Sequence, residues 1–175
     1  MNQIQLTRLT LPDYEAYFAF RLASLREYPH MYATDANDWE NTPREVIERH
    51  LQGSETNQLP IVGAWHDEEL VGMAGIKPDF RPTVQHKATV WGLCVAPTHQ
   101  RQGIGTKLLA SAINTAREIE SLRQLRAVVN ATNQEAVHLF HSAGFQEFGR
   151  EPRAKYIDGV YHDQVYFWYS LDDEN

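Results

Sequence analysis

The residues of this chain best suited by type and spacing to chemistry form one short segment. It comprises Gln100, Arg101, Gln102, Gly103, Ile104, Gly105 and Thr106. An apolar run, 90–95, precedes the segment, and a helical pattern follows it. A turn between a buried strand and a helix leaves backbone N–H groups unpaired at the positive end of the helix dipole, where anions bind. Gly103 and Gly105 have no Cβ, so a ligand oxygen can approach their amides closely. The geometry predicts a pyrophosphate cradle.

The two glycines also fit a purely steric role. Many strand-to-helix turns contain glycine for steric reasons alone, and the turn by itself leaves that alternative open. A dinucleotide-binding fingerprint needs a third glycine near position 108, which is Leu108 here. A Walker loop needs Gly-Lys-Ser/Thr, whereas this chain has Gly105-Thr106-Lys107. These two nucleotide sites are therefore excluded.

Length and charge limit the class of protein. The 175 residues are predicted to form one domain, 1–175, which is long enough to bury a single core. A formal charge of −7 argues against general affinity for nucleic acid or anionic membranes and is compatible with a cationic acceptor. Residues 1–6 lack signal-peptide features, and no apolar run approaches the roughly 20 residues of a membrane span. Cys94 is a single cysteine, which fits a reducing compartment. We expect a cytoplasmic protein.

The elements that must position the turn can be predicted from hydrophobic spacing. The pattern predicts strands over 4–9, 59–65, 70–76, 84–95 and 125–129, followed by a strand from Phe145, a hairpin at Asp158-Gly159 and a strand through 166–169. It predicts helices from Thr10 to about Tyr28, over 42–51 and 104–119, and from Asn133 to Gly144. Residues 34–41 are predicted to be a polar connection. The second half of 84–95 is apolar without alternation, which indicates a central strand buried on both faces.

Four motifs then occur in a specific order. They are Val95-Ala96-Pro97, Gln100-x-x-Gly103-x-Gly105, Asn133-x-x-Ala136 and Ala143-Gly144-Phe145. In order and spacing they resemble the acetyl-CoA signature of the GNAT family of N-acetyltransferases, and the resemblance covers roughly residues 60 to 170. It implies a single-domain α/β (α+β) fold, in which about four helices flank a mixed, mostly antiparallel sheet of six to seven strands.

The resemblance also implies a binding mode for acetyl-CoA as cosubstrate. The glycine turn, Gln100 to Thr106, would hold the CoA pyrophosphate. The strand ending at Val95 would splay from its neighbour, so that backbone groups of Leu93 and Val95 pair with pantetheine. Asn133, whose motif includes Ala136, would contact the pantetheine arm or the neighbouring backbone.

An amine that attacks a thioester must be neutral, and the reaction needs a stabilised oxyanion and a leaving thiolate. A backbone N–H near Leu93 or Cys94 is the expected oxyanion donor. An alkyl ammonium titrates near 10.4, so a base must remove its proton. His86 is the first candidate, although a histidine with a purely structural role in the strand explains it equally well. Acidic residues could serve instead: Glu27, Asp35, Asp38, Glu40 and Glu45.

One position departs from the family pattern. Phe140 lies where relatives often carry the tyrosine that protonates the thiolate, and water or Tyr166 could replace that donor. Cys94 lies in an apolar strand with no adjacent histidine, which disfavours a covalent acyl-enzyme. His138 and His141 share a helix face but lack a third ligand, so no metal site is predicted.

The sequence therefore predicts transfer of an acetyl group from acetyl-CoA to a primary amine by direct attack in a ternary complex. A non-catalytic acyl-CoA sensor or interaction module is the alternative. The acceptor, a small-molecule or protein amine, is left open, because its pocket is expected in the segments outside the signature: 26–42, 77–86 and 150–165. The aromatic C-terminal strand could pair across a homodimer.

Overall fold

The computed structural model describes residues 3–172, which form one seven-stranded sheet with helices packed on its two faces. The strands are β1 (Gln5–Arg8), β2 (Ile61–His66), β3 (Glu69–Pro78), β4 (Lys87–Val95), β5 (Gln124–Asn130), β6 (Gln146–Ile157) and β7 (Val160–Ser170). The helices are α1 (Tyr14–Glu27), α2 (Ala36–Glu40), α3 (Arg44–Glu55), α4 (Ile104–Arg117) and α5 (Gln134–Ser142).

The sheet order is β1-β2-β3-β4-β5-β7-β6, with β4 in the centre. Strands β4 and β5 are parallel, and the other neighbours pair antiparallel. The predicted mixed, mostly antiparallel sheet is confirmed. The predicted polar connection 34–41 is wrong in part, because it contains α2. Asp35 caps this short helix by accepting hydrogen bonds from the amides of Asn37 and Asp38.

Two apolar clusters, one on each face of the sheet, hold the helices in place. Helices α4 and α5 pack on one face through residues such as Leu108 and Phe140, together with alternate residues of β2 to β5. Helices α1 and α3 pack on the other face, where Tyr17 and Ile47 are fully buried. Burial of this much apolar surface is the main force that fixes the helices against the sheet.

The parallel pair β4 and β5 separates after three residues. Cα pairing runs from Lys87 opposite Gln124 to Thr89 opposite Arg126 and then stops. The separation opens a gap along the second half of β4, where Trp91, Gly92, Leu93 and Val95 are only half-buried and Cys94 is buried. The prediction that this half is buried on both faces is therefore wrong. The splay implied by the family resemblance is present.

A β-bulge interrupts β4 at the gap. Met73 of β3 lies opposite Cys94 and Gly75 lies opposite Trp91, so β4 has one extra residue between these pairs. Gly92, in this stretch, has φ +65, a value that favours glycine. A Cβ on Gly75 would lie 2.3 Å from the Trp91 indole, so the ring rests directly on the glycine. The bulge bends β4 and changes the direction in which the side chains and amides of the following residues point.

The C-terminal strand does not lie at a sheet edge. Strand β7 pairs with β5 on one side and with β6 on the other, so the edges of the sheet are β1 and β6. The predicted route to a homodimer, pairing through the aromatic C-terminal strand, is therefore wrong. Among residues 3–172, no helix combines the length and apolar content needed to cross a bilayer.

Candidate active site

A cleft of about 480 Å³ lies where β4 and β5 separate. Its walls come from β4, the turn before α4, the end of β5 and helix α5, and Met31 and Tyr32 contribute from the segment after α1. Most of the residues predicted for cofactor binding line it: Leu93, Cys94, Val95, Gln100, Arg101, Gly103, Ile104, Gly105, Thr106, Asn133, Ala136 and Phe140. The cleft thus brings together segments that are distant in the sequence.

The turn before α4 presents unpaired backbone amides. Gly103 is the N-cap residue, with φ +75, and Arg101 is also left-handed, with φ +60. Within residues 3–172, the amides from Arg101 to Thr106 have no hydrogen-bond acceptor, and the first amide of the helix with a backbone partner is that of Lys107. A series of unpaired amides at a helix N-terminus is suited to a phosphate group.

The two glutamines of the turn have different surroundings. Gln100 donates from Nε2 to the Val95 carbonyl at 3.1 Å and to the Tyr28 hydroxyl at 2.9 Å, so it joins the turn to β4 and to the end of α1. Gln102 is exposed, donates to the Thr98 carbonyl at 3.4 Å and does not line the cleft. Neither side chain is poised as a direct ligand. Gln102, predicted to bind the cofactor, lies outside the cleft.

Asn133 begins α5, and its Oδ1 accepts a hydrogen bond of 3.1 Å from the Ala136 amide. This N-cap bond fixes the helix that forms the far wall of the cleft. Phe140, 4% exposed, is held on that helix by ring contacts to Phe145 at 5.0 Å and Phe167 at 5.6 Å. The wall that faces the splayed strand is therefore a helix packed on the core, and its lining residues are both apolar and polar: Ala136, Leu139 and Phe140, and Glu135, His138 and Ser142.

Cys94 is buried on the α1 side of β4, with Sγ 3.5 Å from the Ser24 hydroxyl. Burial raises the pKa of the thiol, which therefore stays protonated at neutral pH. A protonated thiol is a poor nucleophile, so the geometry favours a packing role for this side chain. The backbone of Leu93 and Cys94, in contrast, belongs to the edge of β4 that loses its partner beyond Thr89.

The predicted base, His86, lies at the opposite end of β4. Its carbonyl accepts hydrogen bonds from the amides of Arg123 and Gln124, at 2.8 and 3.1 Å, where the parallel pairing begins. Seven residues of strand separate His86 from Leu93, which corresponds to about 23 Å. It does not line the cleft, and this distance from Leu93 gives its assignment as the base, which stays a prediction, no support.

The remaining candidates for proton transfer also lie elsewhere. Asp35 caps α2, and Glu40 pairs with Arg26 at 2.7 Å. The Tyr166 hydroxyl donates to Glu151, a hydrogen bond that raises the pKa of the tyrosine. None of these groups is among the residues that line the cleft.

Sequence reasoning missed a pair of stacked histidines beside the cleft. The rings of His30, after α1, and His162, on β7, lie 5.1 Å apart, almost parallel. Asn130, which lines the cleft at the end of β5, donates to the His30 carbonyl at 3.0 Å and lies 3.5 Å from His162 Nδ1. His30 Nδ1 and His162 Nε2 are buried without a hydrogen-bond partner in the described part of the chain. No sequence motif joins positions so far apart.

Arg21 is a second residue that the pattern did not single out. The residue is 4% exposed, its Nη1 is buried without a hydrogen-bond partner, and no described ion pair includes it. The guanidinium carbon lies 4.4 Å from the centre of the Tyr32 ring and 5.9 Å from that of Trp91. Cation–π contacts contribute about 2 kcal/mol when desolvated, whereas desolvation of an ion costs several kcal/mol. The rings therefore offset only part of the cost.

Residues 3–172 contain no group of three or more His, Cys, Asp or Glu side chains arranged to hold a metal ion. His138 and His141 have protein neighbours instead. His138 Nε2 lies 3.4 Å from the Ser142 hydroxyl, and His141 Nε2 lies 3.9 Å from a Glu147 oxygen.

Comparison with known proteins agrees with this geometry. A family model described as the acetyltransferase (GNAT) family matches residues 19–145, which include the turn, both cleft-forming strands and α5. The chain belongs to the GNAT acetyltransferase family. The predicted family and fold are confirmed, and this GNAT domain is an acetyl-CoA-dependent N-acetyltransferase, with acetyl-CoA as its cosubstrate.

Curated relatives differ in the acceptors that their names state. Spermidine N(1)-acetyltransferase of Vibrio cholerae is 24% identical over 119 residues, which cover 68% of this chain and 66% of the relative. L-amino acid N-acyltransferase MnaT of Escherichia coli is 32% identical over 94 residues, which cover 54% of this chain and 51% of the relative. The alignments thus span about two thirds and about half of these two proteins.

Solved structures of the same fold align over nearly the whole chain. An acetyltransferase of the GNAT family from Streptococcus pneumoniae has a TM-score of 0.86 and 24% identity, covering 96% of this chain and 99% of that structure. The yncA protein of Salmonella typhimurium, solved with its cofactor acetyl-CoA, has a TM-score of 0.84 and 18% identity, covering 99% and 96%.

Proposed function

We propose that the chain transfers the acetyl group of acetyl-CoA to the primary amine of an acceptor by direct attack in a ternary complex. One observation carries the proposal: the unpaired amides of residues 101–106 and the open edge of β4 border the same cleft. An anion site and an unpaired strand edge on the same cleft suit a ligand that has a pyrophosphate at one end and an amide-containing arm at the other.

In this arrangement the amides of the turn bind the pyrophosphate. The backbone of Leu93 and Val95 pairs with the pantetheine arm as an added strand would, while Asn133, Ala136 and Phe140 form the opposite wall. The bulge at Gly92 directs a following amide, that of Leu93 or Cys94, towards the thioester oxygen. A fixed N–H donor at that position stabilises the negative charge that develops on the oxygen during attack.

The base is the second part of the proposal. We infer that the His30–His162 pair accepts the proton of the acceptor ammonium, directly or through water held by Asn130. Neither histidine is among the residues that line the cleft, but Asn130, which lines it, contacts both, and each ring has a buried nitrogen without a hydrogen-bond partner in the described residues. Imidazole is a common proton acceptor in enzymes. The two rings are stacked 5.1 Å apart, so both present their edges at the same place beside Asn130.

Four features of the chain stay predictions alongside this function: a single domain over 1–175, a cytoplasmic location, the absence of a metal and a homodimer.

A primary amine as acceptor is supported by the two curated relatives, whose names state acylation of spermidine and of L-amino acids. Under this proposal, the acceptor approaches from the side of Met31 and Tyr32, opposite the CoA cradle.

A thiol-release assay with acetyl-CoA and a panel of primary amines tests the transfer. We expect release that depends on the amine. In parallel, CoA at a hundredfold excess over its Kd should stabilise the protein by about 2.7 kcal/mol in thermal unfolding. Stabilisation without turnover on any amine would leave the alternative, an acyl-CoA sensor. No stabilisation at millimolar CoA would contradict the cofactor site itself.

Replacement of the proposed base gives a separate test. His162→Gln should lower kcat about a hundredfold and should abolish the acidic limb of its pH profile, because general-base help is typically worth that much. His141→Gln is the control, since that histidine is exposed on α5, faces Glu147 and is not among the residues that line the cleft. An unchanged pH profile in His162→Gln and in His30→Gln would exclude the pair as the base.

A further inference from the structure

The buried guanidinium of Arg21 points to the chemical class of the acceptor. Charged side chains are rarely buried unless they are paired, and no carboxylate in residues 3–172 lies within ion-pair distance of this one. The two aromatic rings beside it offset only part of the cost of desolvation. A buried, unpaired cation next to a ligand cleft is a site for an anionic group of the ligand.

The surroundings of Arg21 belong to the cleft. Tyr32, Trp91, Gly92 and Cys94 all line it, and they enclose the guanidinium from the α1 side of β4. A Cβ placed on Gly92 would lie 3.7 Å from Arg21 Nη1, so the glycine leaves no side chain between the strand and the cation. The unpartnered Nη1 is therefore directly behind the bulge that precedes the proposed oxyanion donor.

We propose that Arg21 is a specificity residue that binds a carboxylate of the acceptor, and that the acceptor is a small molecule with a carboxylate next to its primary amine. This inference rests on the proposed acetyl transfer. In an α-amino acid, a single carbon separates the amine from the carboxylate. An amine placed at the thioester beside Leu93 and Cys94 thus puts its carboxylate next to Gly92, within reach of the guanidinium.

The same cation selects against other amines. A polyamine has no carboxylate, and its further ammonium groups are repelled by a fixed positive charge in a low-dielectric site. A protein N-terminus or an amino acid amide presents a neutral carbonyl at this position, which forms weaker hydrogen bonds with a guanidinium than a carboxylate does. Arg21 thus distinguishes acceptors by a group that takes no part in the reaction.

Matched acceptors test the proposal on the unmodified protein. L-leucine, L-leucinamide and isopentylamine have the same side chain and differ in the group next to the amine, and the methionine and phenylalanine series repeat the comparison. Spermidine is the polyamine in the panel. We expect kcat/KM, expressed per neutral amine, to favour each amino acid over its amide and its amine by about tenfold to a hundredfold. Equal values, or a preference for spermidine, would overturn the proposal.

Variants connect that preference to one side chain. Arg21→Met, of similar length without charge, should lose the preference, because it should lower kcat/KM for L-leucine by about tenfold or more relative to kcat/KM for isopentylamine. Arg26→Met is the matched control, because Arg26 lies on the same helix with an exposed side chain that pairs with Glu40. If Arg21→Met does not fold by circular dichroism, Arg21→Lys retains the charge and should lose part of the preference. A preference retained in both variants would refute the role of Arg21.

Failure of the acetyl transfer itself would be distinguishable. If the protein binds CoA and acetylates no amine, calorimetric titration of the CoA-loaded protein with L-leucine and L-leucinamide still decides the role of Arg21. Binding of the acid, and its loss in Arg21→Met, supports a carboxylate site without chemistry. Equal or undetectable binding of both compounds refutes that site.

Discussion

The two sides of the cleft are built from different parts of the chain. On the cofactor side, the groups available to the ligand are backbone amides and a strand edge, contributed by the segment from Leu93 to Thr106 and by α5. On the acceptor side they are side chains, such as those of Arg21 and His162, which come from α1, the segment after it and β7. A backbone site binds a feature that many ligands share, whereas a side-chain site can differ from one relative to the next without altering the fold.

Gly103→Val tests the backbone side and should have the largest effect. A branched side chain at φ +75 is strained, and at this position it would displace the amides from the pyrophosphate. Loss of two charge-assisted hydrogen bonds at about 2 kcal/mol each predicts roughly a thousandfold loss of CoA affinity. Isothermal titration with CoA measures it.

The chain offers a matched control for that substitution. Gly159, in the β6–β7 turn, has φ +81, and like Gly103 it has no atom within 4 Å of an added Cβ. Gly159→Val therefore carries similar backbone strain at a distance from the cleft, and its CoA affinity should match that of the unmodified protein. Similar losses in both variants would show that the effect is general destabilisation.

Phe140→Tyr tests a side chain on the cofactor side and should have a smaller effect. The ring is 4% exposed and lines the cleft, so an added hydroxyl would lie close to the departing sulfur. We expect a gain in kcat of a few-fold at most, because a CoA thiol, with a pKa like that of cysteine near 8.5, leaves readily as thiolate. A gain of about a hundredfold would show that thiolate departure limits the natural enzyme.

His50 should produce the smallest effect, on stability and not on turnover. Burial, together with the charges of Lys77 and Arg49, lowers the pKa of His50 below its usual 6.5. The unfolded chain therefore binds this proton at a higher pH than the folded chain does. The free energy of unfolding should decrease as the pH falls from 6.5 towards the lower folded value.

His50→Gln removes that contribution. Urea unfolding at a series of pH values should give a flatter dependence below pH 6.5 in the variant than in the unmodified protein. A steeper dependence in the variant would contradict the shift. The result also concerns the acceptor side of the cleft, because His50 packs between Trp39 and Trp91, and Trp91 contacts Arg21.

The cofactor side could be predicted from the sequence because its determinants are local. Glycine spacing fixes the turn between Gln100 and Thr106. Asn133 caps the helix that begins at the next residue, by accepting a hydrogen bond from the amide of Ala136, three residues later. The same kind of local signal predicts most of the fold. Helix α2 is the exception, because its five residues are too few to show a helical repeat of apolar residues.

The acceptor side could not be predicted, because it depends on tertiary contacts. His30 and Asn130 meet across 100 positions, and nothing in the local pattern at either residue indicates the other. The sequence favours His86 as the base because it is a histidine at the start of the central strand and neutral imidazole is abundant at pH 7. Strand rise alone places it too far away, but the location of the reaction along β4 depends on where the pairing with β5 stops.

The contact between Gly75 and Trp91 restricts the order in which this protein can change its acceptor. Any larger residue at position 75 collides with the indole at 2.3 Å, so that position can vary only after Trp91 has been reduced in size. A library that randomises Trp91, which lines the cleft, and Gly75, which lies beneath its ring, one position at a time will therefore find position 75 intolerant. If Trp91 is first replaced by a smaller residue, substitutions at position 75 become tolerated. Acceptor pockets that need both changes are then reached in two successive steps, with Trp91 changed first.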